Sequence, residues 1–144
     1  GEERHATRIA RQIVQVRQQQ PITTTTQLAQ IVARVVPGAR RYRLHPATRT
    51  FQALRLAVND ELGALQELLG HLGALLAPGG RAVVLTYHSL EDRLVKRAFA
   101  QGMRDGRWMA LTPKPERPTA AEVEDNPRAR SAKLRAIERA LGCD

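Results

Sequence analysis

Cysteine is nearly absent: Cys143, next to the carboxyl terminus, is the one thiol in 144 residues. A lone thiol excludes an internal disulfide and a cysteine-based metal site, and it suits a reducing cytosol, so a cytoplasmic location is expected. Aromatic residues make up only 3% of the chain, namely Tyr42, Phe51, Tyr87, Phe99 and Trp108. So small a set argues against a surface that grips single strands by stacking many bases, and any base contact has to be local. The histidines, His5, His45, His71 and His88, are too scattered to suggest a metal site. No uninterrupted apolar run approaches the roughly 18 residues of a membrane span, and the start shows no charged segment followed by an apolar one. Neither a membrane helix nor a secretory signal is therefore expected. The chain opens Gly1-Glu2-Glu3-Arg4 without methionine, which reads as a piece of a longer protein.

Acidic residues are also scarce relative to basic ones: 14 Asp and Glu face 23 Lys and Arg, giving a net charge of +9 and a pI near 11.1. That balance favours a polyanionic partner such as nucleic acid over an inert basic surface. Arginine far outnumbers lysine, so bidentate contact with phosphate is chemically available. With 42% hydrophobic and 26% charged residues, a chain of this size suits one globular domain burying roughly two-thirds of its unfolded surface.

Periodicity predicts a helix over residues 3–19, with Ile9, Ile13 and Val16 on one stripe and Arg4, Arg8 and Arg11 on its flanks. Pro21 ends it. Thr24 and Gln27 have the spacing of a capping box for a second helix through Leu28, Ile31, Val32 and Val35, which Pro37-Gly38 stops. Arg40, Arg41 and Arg43, with Tyr42 between them, form a basic loop that is either a phosphate contact or a solvated charge run. His45-Pro46 predicts another helix start, with proline at the first helical position. Apolar residues then keep helical spacing from Phe51 to Leu76, with Gly63, Gly70 and Gly73 as points where the element bends or splits.

Residues 81–97 hold the most informative pattern. Ala82 to Leu85, bounded by Pro78-Gly79-Gly80, reads as a fully buried strand. Ser89 and Asp92 read as a capping-box variant opening a helix through Leu90, Leu94 and Val95. In open α/β sheets ligands bind beyond the carboxyl ends of strands, which places His88, Ser89 and Glu91 where chemistry is expected. Glu91 and Asp92 are adjacent, hence on different helix faces, and pairing with the helix dipole is their ordinary role. Trp108 to Thr112 reads as a second strand, residues 112–119 as a proline-broken loop, and 122–125 as an acidic run. Residues 132–137 alternate as a strand does, although a helix through Leu134, Ile137 and Leu141 fits almost as well.

Four stretches together carry a resemblance. They are His45 to Leu62 (HPATRTFQALRLAVNDEL), Pro78-Gly79-Gly80-Arg81, Tyr87 to Arg93 (YHSLEDR) and Asn126 to Arg135 (NPRARSAKLR), with Gly1-Glu2-Glu3-Arg4 ahead of them. In this order they resemble the ribosomal RNA small-subunit methyltransferase H family over nearly the whole chain. The family transfers a methyl group from S-adenosyl-L-methionine to the N4 amine of a cytidine in small-subunit ribosomal RNA. The resemblance implies an α/β fold: the carboxyl-terminal half of a Rossmann-like methyltransferase sheet plus part of an inserted helical domain. Residues 1–43 would be the rear of the insertion and 44–144 the methyltransferase half, with residues 81–86 a parallel strand and 108–112 and 132–137 a pair at the edge.

The departures matter as much. The family's glycine-rich cofactor loop and most cofactor contacts belong to an amino-terminal half that is not in this sequence, and Gly79-Gly80 precedes a strand instead of following one. S-adenosyl-L-methionine is thus the cofactor of the full-length family and is not expected to bind this chain alone. Tyr87 stands where the family usually has Phe. The exocyclic amine of cytosine is a weak nucleophile, so alignment carries most of the rate and a hydrogen-bond acceptor is needed. His88 is the candidate acceptor or base, its alternative being to fix the turn through backbone hydrogen bonds. Arg40, Arg41, Arg43, His45, Arg49, Ser89, Arg93, Arg128 and Arg130 are the candidate RNA contacts, with small-subunit ribosomal RNA as partner. A rival reading is a stand-alone basic RNA-binding module without catalytic activity, and a third is self-association through an exposed sheet edge.

Overall fold

The computed structural model describes residues 3–36 and 45–142, and the chain divides into two compact units, residues 1–60 and 61–144. The basic loop with Arg40, Arg41 and Arg43 lies outside the described residues.

In the first unit, helix α1 spans Ala6–Gln19 and turns extended at Gln20, because Pro21 has no amide to donate and disfavours a helical residue before it. Helix α2, Thr25–Val35, carries the expected capping box. Thr24 Oγ1 accepts the Gln27 amide at 3.2 Å, while Gln27 Oε1 accepts the amides of Thr24 at 3.1 Å and Thr23 at 2.9 Å. The threonine tract is therefore a helix start. Helix α3 spans Thr48–Val58 with Ala47 as its N-cap. Pro46 consequently sits before the helix, in a turn closed by the Thr48 amide on the His45 carbonyl, and is not its first residue. The core joins Ile9, Val32, Val35, Val36 and Ala47, with Ile13, Leu28, Ala29 and Phe51 against it.

The long apolar run expected from 51 to 76 breaks at Asn59-Asp60, not at a glycine. Asp60 takes φ 47°, a left-handed conformation that Asp tolerates better than most residues. Helix α4, Glu61–Leu75, then continues through Gly63, Gly70 and Gly73 without interruption.

The second unit places α4 and helix α5, Ser89–Arg104, with a three-stranded sheet. Strands β1 (Arg81–Thr86), β2 (Trp108–Ala110) and β3 (Lys133–Arg139) lie in the order β1-β3-β2. Both pairings are antiparallel. The alternation at 132–137 is thus a strand, and among the described residues no strand runs parallel to β1. Helix α6, Ala120–Asp125, and a 3-10 turn, Pro127–Ser131, lead into β3.

Directly opposed residues of an antiparallel pair share a face. Ala82 opposes Ile137, and both join Val84, Leu69, Leu72, Val95, Phe99 and Trp108 in one core. On the other face Val83 is 61% and Leu85 50% exposed, so β1 is covered on one side by the described residues rather than fully buried. Trp108 closes the core against α5: a Cβ on Gly102 would stand 1.6 Å from its indole Nε1, so only glycine fits beneath the ring. Arg139 Nη1 donates to the carbonyls of Gly73 and Leu76, placing a cation on the carbonyl end of α4 where the helix dipole favours one.

Candidate functional site

Beyond the carboxyl end of β1 the chain turns through Tyr87 and His88 into α5 with no glycine. His88 is extended, at φ −140° and ψ 165°, and is itself the N-cap. The capping box is His88 with Glu91, one residue ahead of the expected Ser89 and Asp92, because the strand geometry persists one residue further. The imidazole Nδ1 accepts the Glu91 amide at 3.4 Å, standing where a Ser or Asp oxygen would. Glu91 Oε2 in turn accepts the amides of Tyr87 at 3.0 Å and His88 at 3.4 Å. The tautomer implied by an accepting Nδ1 carries its proton on Nε2. That atom stands 3.0 Å from Glu91 Oε1 yet is buried without an aligned hydrogen-bond partner among the described residues. The ring and the carboxylate thus hold the turn together.

One turn further, Asp92 is 9% exposed and receives Lys133 Nζ at 2.9 Å and Arg135 Nε at 2.8 Å. Burial, the largest single influence on its carboxyl, pushes the pKa up. The hydrogen bonds and charges of Arg135 and Lys133 together outweigh it and hold the group below its ordinary value. Two cations on one carboxylate leave one positive charge over, which the Glu91 carboxylate on the Tyr87 and His88 amides balances. Thr86 Oγ1 adds a bond of 3.3 Å to the Lys133 carbonyl, tying the strand ends together. This triad was not expected from adjacency alone. Its signal was available: Asp92 shares a helical stripe with Val95, Phe99 and Gly102, all buried, and an acid on a buried stripe requires a cationic partner.

The remaining candidates fall in different places. Ser89 and Arg93 are exposed and four residues apart on α5, hence on one face. Arg128 and Arg130 are exposed on the 3-10 turn before β3, at the same end of the sheet, since Lys133 opposes Thr86. Helix α6, with Glu122, Glu124 and Asp125, packs on that turn. His45 and Arg49 belong to the first unit, His45 exposed with its Nδ1 accepting the Ala47 amide at 3.2 Å and Arg49 exposed in the first turn of α3. Among the described residues no group of three His, Cys, Asp or Glu is placed to hold a metal ion, and no helix is long and apolar enough to cross a membrane.

Known proteins match this arrangement along almost its full length. A relative from Synechococcus sp. (strain JA-2-3B'a(2-13)) called "Ribosomal RNA small subunit methyltransferase H" is 60% identical over 140 residues, covering 96% of this chain and 42% of the relative. Proteins of the same name from Deinococcus radiodurans and Rhodopirellula baltica are 59% and 54% identical, covering 97% and 96% of this chain and 44% and 42% of those proteins. The chain therefore spans less than half the length of these relatives. A sequence model described as the MraW methylase family matches residues 1–140, and the chain belongs to that family.

Proposed function

We propose that this chain is the carboxyl-terminal portion of an S-adenosyl-L-methionine-dependent methyltransferase acting on the N4 amine of a cytidine in small-subunit ribosomal RNA. The observation that carries the reading is the match over residues 1–140 to relatives whose name states ribosomal RNA methylation. Residues 1–43 are assigned to the rear of an inserted helical domain and 44–144 to half of a Rossmann-like methyltransferase domain, reached by chain that the relatives have and this sequence does not.

The described residues do not fit the cofactor. A dinucleotide or S-adenosyl group is cradled by glycines leading from a strand into a helix, whereas the β1-to-α5 turn here is Tyr87-His88-Ser89. Gly79 and Gly80 are engaged elsewhere, in the turn before β1: Gly79 takes φ +73°, and a Cβ on Gly80 would lie 2.7 Å from the Ala77 carbonyl. What this chain contributes is position. With Nδ1 on the Glu91 amide and the Nε2 proton beside the Glu91 carboxylate, His88 offers no lone pair to a substrate amine, and it becomes an acceptor only after releasing that amide. We assign it as a positioning residue that holds the rim of the pocket, with Ser89 and Arg93 presented outward.

A chimera in which this chain replaces the matching residues of the Deinococcus radiodurans relative tests the reading. It is expected to methylate small-subunit ribosomal RNA, and a folded but inactive chimera overturns the assignment. Calorimetry of the isolated chain with S-adenosyl-L-methionine is expected to show no stoichiometric binding, and tight binding overturns the division of labour. The rival, a stand-alone RNA-binding module, is favoured by one observation, the concentration of basic charge in residues 1–60 described below.

A further inference from the structure

Residues 1–60 hold ten Lys and Arg against three Asp and Glu, whereas residues 61–144 hold thirteen against eleven. The excess of the chain thus belongs to its first unit, and α1 shows how it is displayed. Arg8, Arg11, Gln15 and Gln18 recur on α1 at steps of three and four, Arg4 lies in the turn just ahead of the helix, and all five are exposed. On an ideal helix the four residues of α1 fall within an arc of roughly 80°, facing away from the stripe of Ile9, Ile13 and Val16. None of the three arginines makes an ion pair with a described residue, and α1 has no acidic residue in its first turn. Desolvated or self-paired arginine would be part of the fold; these are not.

We infer that this stripe of α1 docks on the sugar-phosphate backbone of base-paired RNA. The inference rests on the reading of the chain as part of a protein that acts on ribosomal RNA, and it names the partner that one helix meets. Two arginines one helical turn apart, with a third in the turn ahead of the helix, supply bidentate phosphate contacts, and the two glutamine amides can bond ribose hydroxyls or phosphate oxygens. Base-paired RNA is favoured over single strands because single-strand surfaces need stacking platforms. Among the described residues of the first unit the aromatic residue is Phe51, which is half-buried against the core. An amphipathic membrane helix is disfavoured because the apolar stripe is already occupied, with Ile9 3% exposed.

The 144-residue chain is titrated against a fluorescent RNA duplex of about 16 base pairs, the span a double-stranded RNA module covers, and against an unpaired strand of equal length, over a series of salt concentrations. Duplex binding is expected to be tighter and steeply salt-dependent. The triple variant R4Q/R8Q/R11Q is expected to bind roughly 100-fold more weakly at about 0.15 M salt, with a salt slope shallower by about 2 to 3. Arg17→Gln, which removes the same charge from another arc of α1, is expected to stay within about twofold of the parent, as counterion release needs a contact. Single Arg8→Gln, expected to lower the slope by about 1, decides the matter if the triple variant loses helicity by circular dichroism. A triple variant no weaker than Arg17→Gln overturns the stripe while leaving the RNA reading standing. Preference for the unpaired strand, or equal affinity for polyglutamate, overturns the choice of partner. No RNA binding by the parent chain overturns the inference, while the methyltransferase reading stands or falls with the chimera.

Discussion

The two units solve the problem of charge in opposite ways. Residues 1–60 carry an unbalanced cation surplus, their described elements are helices, and the arginines of α1 are left on its exposed face. In residues 61–144 the signs nearly balance, and five cations are spent on the structure itself: Arg135 and Lys133 on Asp92, Arg139 on the carbonyls of α4, Arg81 on Glu138 at 2.8 Å, and Arg107 on Asp105 at 2.7 Å and over Trp108. A count of cations alone, ten in the first unit and thirteen in the second, would have assigned RNA contact to both. Five cations of the second unit are architectural bonds, while Arg8 and Arg11 on α1 make no ion pair with a described residue.

The largest effect should come from the second unit's core. Gly102→Val would drive a side chain into the space the Trp108 indole occupies, expelling the ring from its place between α4 and α5. Overpacking plus loss of the ring's burial is expected to cost about 3 kcal/mol or more. Because Trp108 is the sole tryptophan, its fluorescence in denaturant titrations reports this unit, and an unchanged midpoint would break the account. Second in size is Asp92→Asn, which leaves Lys133 and Arg135 facing a neutral amide. Hydrogen bonds to charged groups set the expected loss at about 2 to 3 kcal/mol near pH 7.

The sign of the pH dependence follows from the direction of the shift. Asp92 titrates lower in the folded chain than its ordinary 3.8, so its contribution is complete above that ordinary value. It fades as the pH falls through the folded value, where both states bind the proton. Parent and Asp92→Asn stabilities should therefore run parallel above about pH 5 and converge in stronger acid. Asp105, likewise held below its ordinary value by Arg107, is solvent-exposed and adds little to that convergence. A gap that persisted in acid would mean that shape, not charge, holds the triad.

What the sequence displayed and what it concealed divide along the same physical line. Local signals were legible: the Thr24 and Gln27 spacing, the block at Pro21, and the alternation of Lys133, Leu134, Arg135 and Ala136. Features set by tertiary context were not. The turn before α3 took Pro46 out of the helix, since the amide of Thr48 found the His45 carbonyl first. The break at Asn59-Asp60 rests on a left-handed Asp, a conformation that no pattern of apolar residues announces. The α5 cap slipped by one residue because His88 retained strand geometry, and imidazole is a rarer capping group than the serine beside it. Of the candidate site, the turn itself was visible from the strand-to-helix change. The Asp92 triad was hidden because its partners lie about forty residues away and meet it only when β3 pairs with β1.

The smallest expected effect compares the two capping boxes and tests whether they belong to separately reporting units. Thr24→Ala removes the acceptor of the Gln27 amide, and His88→Ala the acceptor of the Glu91 amide; caps of this kind are worth about 1 kcal/mol. Thr24→Ala should lower helicity by circular dichroism while leaving the Trp108 fluorescence midpoint in place, because α2 contributes no residue to the Trp108 core. His88→Ala should move that midpoint, since α5 supplies Val95 and Phe99 to it. His88→Asn should restore most of the loss, because an Asn oxygen is an effective N-cap acceptor and needs no imidazole. If Asn restores stability to the chain but methylation by the chimera stays impaired, His88 has a duty beyond the cap; if both return together, its role is to place the rim of the turn, and the two boxes differ only in the side chain that closes them.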